Sequence, residues 1–258
     1  MSPTLRRITK EAKSIQIYDR VIGATEKSLT KDFRRKFDGR LIAGSKGYGY
    51  WCWKPQIVLQ CMQELDEGDL IQYTDAGCHL NPKGKPRLLC YFDLATEAKA
   101  GILAFQAKPP ETHLGIDARG FLDFPEYKWA KGDLLDFFRV RHREDIWATP
   151  TVGAGAFFIR KCKHAVELIH EWRATFNHDF SLIDDSPSRS ENLPGFIEHR
   201  HDQAIFSILC KLANVETLSA YELWHPNWEK LAEFPIHVRR DKKINLKSRL
   251  VRKLRTFL

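Results

Sequence analysis

The stretch of this sequence that most clearly could do chemistry is a short apolar run ending in a carboxylate and a glycine. Residues 70–74 have the composition of a strand, and Asp75, Ala76 and Gly77 follow directly. In an open α/β sheet, ligands bind outside the carboxyl ends of the strands. A carboxylate there could hold a metal ion or a ribose hydroxyl. The alternative is that Asp75 only starts a turn, because Asp and Gly are common turn residues.

A second stretch, residues 46–55, combines glycines, aromatic rings and a lysine. Glycine lets the backbone approach a ligand closely, and the rings of Tyr50, Trp51 and Trp53 offer faces for a base or a sugar. Lys54 lies at the start of a predicted helix, where a phosphate could bind. The alternative is a cluster of core aromatics beneath that helix.

A third stretch is formed by Gly153, Ala154 and Gly155, at the start of a predicted buried strand. Small residues at this point leave room for a substrate. They also suit close packing of a helix against a sheet, so the segment alone does not distinguish the two interpretations.

The fourth stretch is the polar run 198–203 (Glu-His-Arg-His-Asp-Gln), which opens a predicted helix. Helical spacing places His199 and Gln203 on one face. Asp202 could simply cap the helix, but a cap needs one such residue and this run has several. The acidic pair at 184–185, in a loop upstream, could supply further carboxylates, although such pairs are usually solvated.

Helical and strand patterns alternate along the chain. This alternation predicts one α/β domain over residues 1–240, followed by a tail over residues 241–258. The predicted helices span residues 4–16, 30–37, 56–65, 88–99, 126–140, 162–176 and 201–212, the predicted strands span 18–25, 70–74, 101–106 and 152–160, and residues 109–124 are predicted to form a loop.

Composition excludes several classes of protein. A chain of 258 residues that is 43% hydrophobic can bury a sizeable core. The six cysteines form no Cys-x-x-Cys pair, which favours buried reduced thiols over a zinc site or disulfides. The longest uncharged, largely apolar run, residues 149–159, is far shorter than the ~20 residues that span a bilayer. Charged sequence rather than an apolar signal core follows the N-terminus, so we expect a cytoplasmic protein.

The net charge of +8 resides in the C-terminal segment. Residues 239–255 hold nine Lys or Arg and one Asp, and the rest of the chain is balanced. Leucines at positions 246, 250, 254 and 258 would form one stripe of a basic amphipathic helix, which is typical of segments that lie on anionic lipid. We therefore expect peripheral attachment at the inner face of the membrane; the alternative is a solvated tail. A nucleic-acid-binding module on an inactive fold is a further alternative, which the balanced charge of the body disfavours.

The order of these motifs resembles that of the GT-A glycosyltransferases. It is most similar to a group of bacterial and viral polysaccharide glycosyltransferases that carry GYGYWxWKP, Y-x-DAG, LIDDSPS and PGFIEHRHDQ. These motifs stand here at residues 47–55, 73–77, 182–188 and 194–203. The resemblance implies a GT-A-like (Rossmann-like) mixed sheet flanked by helices, with a basic C-terminal helical tail.

The resemblance also implies an activity. The enzyme would transfer a sugar, from a UDP-sugar by preference, to a saccharide or lipid-linked saccharide during surface polysaccharide or lipopolysaccharide synthesis. Lys54 and a metal ion bound by Asp75 would neutralise the leaving diphosphate. Asp202 would be the general base of an inverting enzyme, whereas Gln203 would stabilise the reacting centre of a retaining enzyme, which the resemblance favours. No nucleic-acid partner is expected.

Two departures from the family pattern bear on these roles. Gly77 stands where the DxD motif has its second Asp, so His201 or another residue would have to complete a shell around Mn²⁺ or Mg²⁺. The first strand of a GT-A fold, which contacts the nucleobase, is not recognised before the first helix. The implied site residues are Asp202, Gln203 and Asp185 for catalysis; Asp75, Ala76, Gly77, Tyr50, Trp51, Trp53 and Lys54 for the donor; Gly153, Ala154, Gly155, Asp184 and His199 for the acceptor; and Asp75 and His201 for the metal.

Overall fold

The computed structural model describes residues 2–110 and 124–239. The predicted tail, and most of the loop predicted over 109–124, lie outside these residues. None of the described helices has the length and apolar content needed to cross a membrane. The helices are α1 Pro3–Ile15, α2 Lys31–Lys36, α3 Gly47–Tyr50, α4 Trp53–Gln63, α5 Lys85–Glu97, α6 Gly132–Phe137, α7 Glu144–Trp147, α8 Lys163–His178 and α9 Asp202–Leu212. The strands are β1 Leu70–Thr74, β2 His79–Leu80, β3 Ile102–Gln106, β4 Val152–Arg160, β5 Glu216–Ser219 and β6 Ile236–His237.

A four-stranded mixed sheet in the order β1-β4-β3-β5 forms the centre of the fold. Strand β4 is antiparallel to both of its neighbours, and β3 is parallel to β5. Because β4 runs against β1, the start of β4 lies beside the end of β1, with Ala156 opposite Thr74. A separate antiparallel pair joins β2 and β6. The predicted α/β class, with a mixed sheet flanked by helices, is confirmed.

Strand β4 bulges where it passes β3. Leu103 of β3 pairs with Phe158 of β4, and Phe105 of β3 pairs with Gly153. Two residue steps along β3 therefore correspond to five along β4. Bulges of this kind bend a strand and often lie beside active sites. Gly153 borders this irregularity, and Ala154 and Gly155 lie within it, so these small residues coincide with a local distortion of the backbone near the start of β4.

Helices cover both faces of the sheet, and alternate residues of β4 reach the two cores. Phe157 lies in the core under α4, α8 and α9, where its ring packs 6.1 Å from that of Trp172 and 5.0 Å from that of Phe206. Phe158 lies in the core under α1 and α5, 5.4 Å from the ring of Tyr91. The sheet is therefore buried on both faces, which leaves its edges and strand ends for a ligand.

Two predicted elements are wrong. Residues 18–25 are not a strand: their backbone pairs with no described strand, and the segment contacts β1 through the hydroxyl of Tyr18, 2.6 Å from Gln72 Oε1. Residues 126–140 are not one helix but a 3₁₀ turn, Glu126–Lys128, and then α6. The break falls at Lys131, whose extended backbone (φ −71°, ψ 158°) begins α6 as its N-cap. The short strands β2, β5 and β6 were not predicted from the sequence.

A buried ion pair fastens the segment that begins at residue 124 to α9. Glu126 is fully buried, and Lys211 Nζ lies 2.7 Å from its Oε2. The same ammonium donates to the carbonyls of Ile146 and Thr149. Ser207, one turn earlier on α9, also donates its hydroxyl to Oε2.

Replacing Lys211 with Met would leave the Glu126 carboxylate buried without a cation. We expect the free energy of unfolding, measured in urea, to fall by about 3–5 kcal/mol. The matched control is Lys163→Met, which removes an exposed partner 3.9 Å from Glu167 and should change stability by less than ~0.5 kcal/mol. Equal small losses in both variants would contradict the assignment of Glu126 and Lys211 as a buried structural pair.

Candidate functional site

The four stretches singled out in the sequence meet at one end of the sheet. Asp75 directly follows β1, and its N–H donates to the carbonyl of Gly155 in β4 at 2.8 Å. Lys54 lies in the first turn of α4, and Asp202 is the first residue of α9. The antiparallel β4 accounts for this meeting, since it brings its own start to the carboxyl end of β1.

Lys54 is the centre of the cluster. Its Nζ lies 2.7 Å from Asp202 Oδ2 and 3.5 Å from Asp75 Oδ1, and it donates to the carbonyl of Ala154 at 2.9 Å. The residue is only 3% exposed. Three oxygens thus surround the ammonium group: the carbonyl accepts a hydrogen bond, and the two carboxylates are ion-pair partners. From the sequence this lysine was expected to meet a phosphate, whereas in the structure its charge is directed inward, to two carboxylates and one carbonyl.

The pKa values of the paired groups follow from their burial. Asp202 is 4% exposed, and burial raises the pKa of its carboxyl to about 6, although the Lys54 ammonium offsets part of that rise. Burial alone would lower the pKa of Lys54, but the charges of Asp202 and Asp75 together hold it above its usual value. A carboxyl with a pKa near neutrality is suited to accepting or releasing a proton at physiological pH.

Asp75 is the carboxylate of the cluster that faces solvent. Its side chain is 37% exposed. The hydroxyl of Tyr73 donates to Oδ1 at 2.8 Å, and burial raises the pKa of Tyr73 well above its usual value, so this hydroxyl keeps its proton. A Cβ atom on Gly155 would lie 3.3 Å from Oδ2. Glycine at 155 therefore leaves the second oxygen of Asp75 uncrowded.

Hydrogen bonds from side chains of α1 hold the turn that follows Asp75. Arg7 Nη2 donates to the carbonyls of Ala76 at 3.1 Å and Cys78 at 2.8 Å. Glu11, one turn along α1, pairs with Arg7 and accepts from the N–H of Leu80 at 2.9 Å. The sequence analysis missed Arg7, because its partners are about 70 residues away and nothing local marks it.

Helix α3 is a single turn of left-handed helix. Two backbone hydrogen bonds of the helical type close this turn. The N–H of Tyr50 donates to the carbonyl of Lys46, and the N–H of Trp51 donates to the carbonyl of Gly47. Left-handed backbone costs an L-residue roughly 1–2 kcal/mol, and such strain concentrates at functional sites. The positive φ angles are 59° at Gly47, 53° at Tyr48, 88° at Gly49, 53° at Tyr50 and 61° at Trp51.

The left-handed turn presents aromatic rings to the start of α9. The indole of Trp51 stacks on the ring of His201, with centroids 5.8 Å apart and planes at 29°, and Tyr50 lies 5.0 Å from the same ring. We call these three rings the aromatic shelf. Trp53 supports the turn from within, since its indole N–H donates to the carbonyl of Gly47 at 2.9 Å.

The two histidines of the polar run hold the loop of residues 182–188. His199 Nε2 and His201 Nδ1 donate to successive carbonyls of that loop, those of residues 182 and 183, at 3.0 and 2.7 Å. Lys131 Nζ donates to the carbonyls of residues 184 and 186, at 3.1 Å each. The role of Lys131 was not recognised from the sequence. These buried donors turn the loop's carbonyls inward.

The acidic pair of this loop makes contacts away from Lys54. Asp184 Oδ1 accepts from the N–H of Ser186 at 2.9 Å. Asp185 lies 3.0 Å from Lys46 Nζ and 3.6 Å from His201 Nε2, at the edge of the aromatic shelf. Gln203, half-buried in the first turn of α9, donates its N–H to the carbonyl of Arg200. The predicted catalytic and acceptor roles of these residues stay predictions.

The predicted metal ligands do not form a ready-made site. His201 uses Nδ1 for a loop carbonyl and turns Nε2 toward Asp185. Asp75 Oδ1 already faces Tyr73 and Lys54. In residues 2–110 and 124–239, no three His, Cys, Asp or Glu side chains lie together as a ligand set. The metal therefore stays a prediction.

Gly47 and Gly44 provide a test of how the shelf is held. Both have positive φ (59° and 86°), but an added Cβ at 47 would lie 2.3 Å from the indole of Trp51, while at 44 it would meet nothing within 4 Å. Gly44→Ala should therefore cost only backbone strain, about 1–2 kcal/mol. Gly47→Ala should cost about 1–3 kcal/mol more, because the indole must move. Urea unfolding measures both, and equal losses would contradict the dependence of Trp51 on Gly47.

Comparison with known proteins identifies no family or relative that would assign a function to this site. The sequence matches no protein-family model, no curated protein and no solved structure.

Proposed function

We propose that this protein is a nucleotide-sugar-dependent glycosyltransferase of the GT-A type. The observation that carries the proposal is the cluster in which buried Lys54 joins Asp75 and Asp202. It lies outside the carboxyl end of a strand, where open α/β sheets bind their ligands. The resemblance of motifs supports the same activity, with a saccharide or lipid-linked saccharide as acceptor.

The donor would lie across Asp75 and the aromatic shelf. Oδ2 of Asp75 is uncrowded and would accept hydrogen bonds from hydroxyls of a ribose or a sugar. The rings of Trp51 and Tyr50 would stack on a base or on the apolar face of a sugar. The left-handed backbone beneath them fixes their position before the ligand arrives, which lowers the ordering cost of binding.

The charge of the cluster bears on how a diphosphate would bind. With both carboxyls ionised, one ammonium and two carboxylates sum to −1. Lys54 cannot meet a phosphate without leaving one of its three present acceptors. We therefore expect a divalent cation in solution to strengthen binding of a nucleoside diphosphate, because it screens the repulsion between the two anions.

Asp202 would handle the proton of the acceptor hydroxyl in an inverting reaction. Its carboxyl, with a pKa of about 6, is largely ionised at neutral pH and would act as the general base. In a retaining reaction, which the resemblance favours, Asp202 would position Lys54, and the neighbouring Gln203 would face the sugar. The anomeric configuration of the product distinguishes these two routes.

Calorimetric titration with UDP, GDP and CMP, each with and without Mn²⁺, tests the proposal. We expect one nucleotide, UDP by preference, to bind the wild type, and Asp75→Asn to weaken that binding at least roughly tenfold, since a hydrogen bond to a charged group contributes about 1.5–3 kcal/mol. The control is Asp93→Asn, which removes an exposed carboxylate on α5 and should bind like the wild type. Failure of all three nucleotides to bind, or equal binding by Asp75→Asn, would contradict the proposal.

A further inference from the structure

One exposed segment of the body is strongly basic, although the body as a whole is not. Residues 27–46 hold seven Lys or Arg and two Asp. Outside this segment and the basic C-terminal residues 239–255, the chain holds 25 Lys or Arg and 30 Asp or Glu. The overall balance of the body therefore conceals a cluster of positive charge around α2.

The packing of α2 directs these charges outward. Phe33 of α2 and Phe37, the residue directly after the helix, are both buried, and their ring centroids lie 4.7 Å apart. Phe37 also packs against Phe176 and Phe180. Because the two phenylalanines take up the inward positions, the remaining side chains of α2 are exposed: Lys31, Asp32, Arg34, Arg35 and Lys36.

Most of this charge is not neutralised by neighbours. Arg35 pairs with Asp32, but both side chains are more than four-fifths exposed, and such pairs are weak. Lys31, Arg34 and Lys36 form no ion pair with any residue in the described ranges. The segment therefore forms an exposed surface of positive electrostatic potential.

An exposed apolar side chain, Ile42, follows these cations six residues after the end of α2. Tight turns follow α2, with the N–H groups of Arg40 and Leu41 both donating to the carbonyl of Phe37. They bring Ile42 to the surface, where it is 56% exposed. Exposed basic side chains beside an exposed branched apolar side chain are the combination that binds at the interface of anionic lipid.

This basic surface also adjoins the candidate site. Arg40 lies 3.8 Å from Asp184 Oδ2, and Lys46 pairs with Asp185. Both acids belong to the loop of residues 182–188, to which His199 and His201 donate hydrogen bonds. A flat partner resting on α2 would therefore lie beside the entrance to the aromatic shelf.

We propose that the surface formed by Lys31, Arg34, Arg35, Lys36 and Ile42 docks on an anionic lipid bilayer. The cations lie among the headgroups, and Ile42 enters the interface between headgroups and acyl chains. This contact is separate from the C-terminal tail and does not depend on glycosyl transfer. Nucleic acid is the less suitable partner, because it has no counterpart for the exposed isoleucine.

Co-sedimentation of the full chain with vesicles tests this docking. Vesicles of phosphatidylcholine alone are compared with vesicles that also contain phosphatidylglycerol. We expect Arg34→Gln/Arg35→Gln/Lys36→Gln to bind the anionic vesicles at least roughly tenfold more weakly than the wild type, and Ile42→Ser to bind several-fold more weakly. The control, Lys10→Gln/Lys83→Gln/Lys163→Gln, removes three exposed charges elsewhere and should bind like the wild type.

Three results would overturn the proposal. If the α2 triple variant binds like the wild type, the tail alone carries any attachment and α2 is a solvated face. If the control loses as much as the α2 variant, the attraction depends on net charge and not on this surface. If a DNA duplex binds the wild type more tightly than anionic vesicles do, and Ile42→Ser leaves both unchanged, the surface recognises phosphate backbones. Circular dichroism and urea unfolding of each variant verify that the overall fold is retained.

Discussion

A lysine buried at the end of the sheet imposes the constraint on which the candidate site depends. An ammonium group that is 3% exposed needs compensating charge and hydrogen-bond acceptors within reach. Lys54 finds them in Asp202, Asp75 and the carbonyl of Ala154. Those three groups belong to α9, the turn after β1 and the start of β4. One charge therefore fixes how a helix and two strands meet.

The topology of the sheet makes this meeting geometrically available. Strand β4 runs against β1, and its bulge opposite β3 places residues 153–155 where their carbonyls can turn toward Lys54 and toward the N–H of Asp75. Support comes from distant elements. Arg7 on α1 holds the turn after Asp75, and Lys131 holds the loop behind the histidines. Hydrogen bonds from distant elements thus support both the turn and the loop around the site.

Local patterns in the sequence predicted much of the fold, and long-range contacts account for what they missed. Strand β4 was predicted with its observed bounds, because a short run of apolar residues indicates a buried strand. The segment at 18–25 has the composition of a strand but lacks a backbone partner, which composition does not reveal. The resemblance placed Lys54, Asp75 and Asp202 in one site, but the ion pairs that Lys54 forms with both carboxylates were not predicted, because they depend on the direction of β4. The left-handed turn at 47–51 was not predicted from the stretch of glycines and aromatics at 46–55, since three of its aromatics adopt a backbone that L-residues rarely take.

A double-mutant cycle on Lys54 and Asp202 tests the central claim most directly. The free energy of unfolding in urea would be measured for Lys54→Met, Asp202→Asn and the double variant. Because each single change leaves a buried charge without its partner, we predict losses of about 3–5 kcal/mol for Lys54→Met and a smaller loss for Asp202→Asn. The double variant should be more stable than the sum of the single losses implies, by at least ~1 kcal/mol. Losses that simply add would mean that the two side chains are not coupled, and would contradict a site organised around one buried cation.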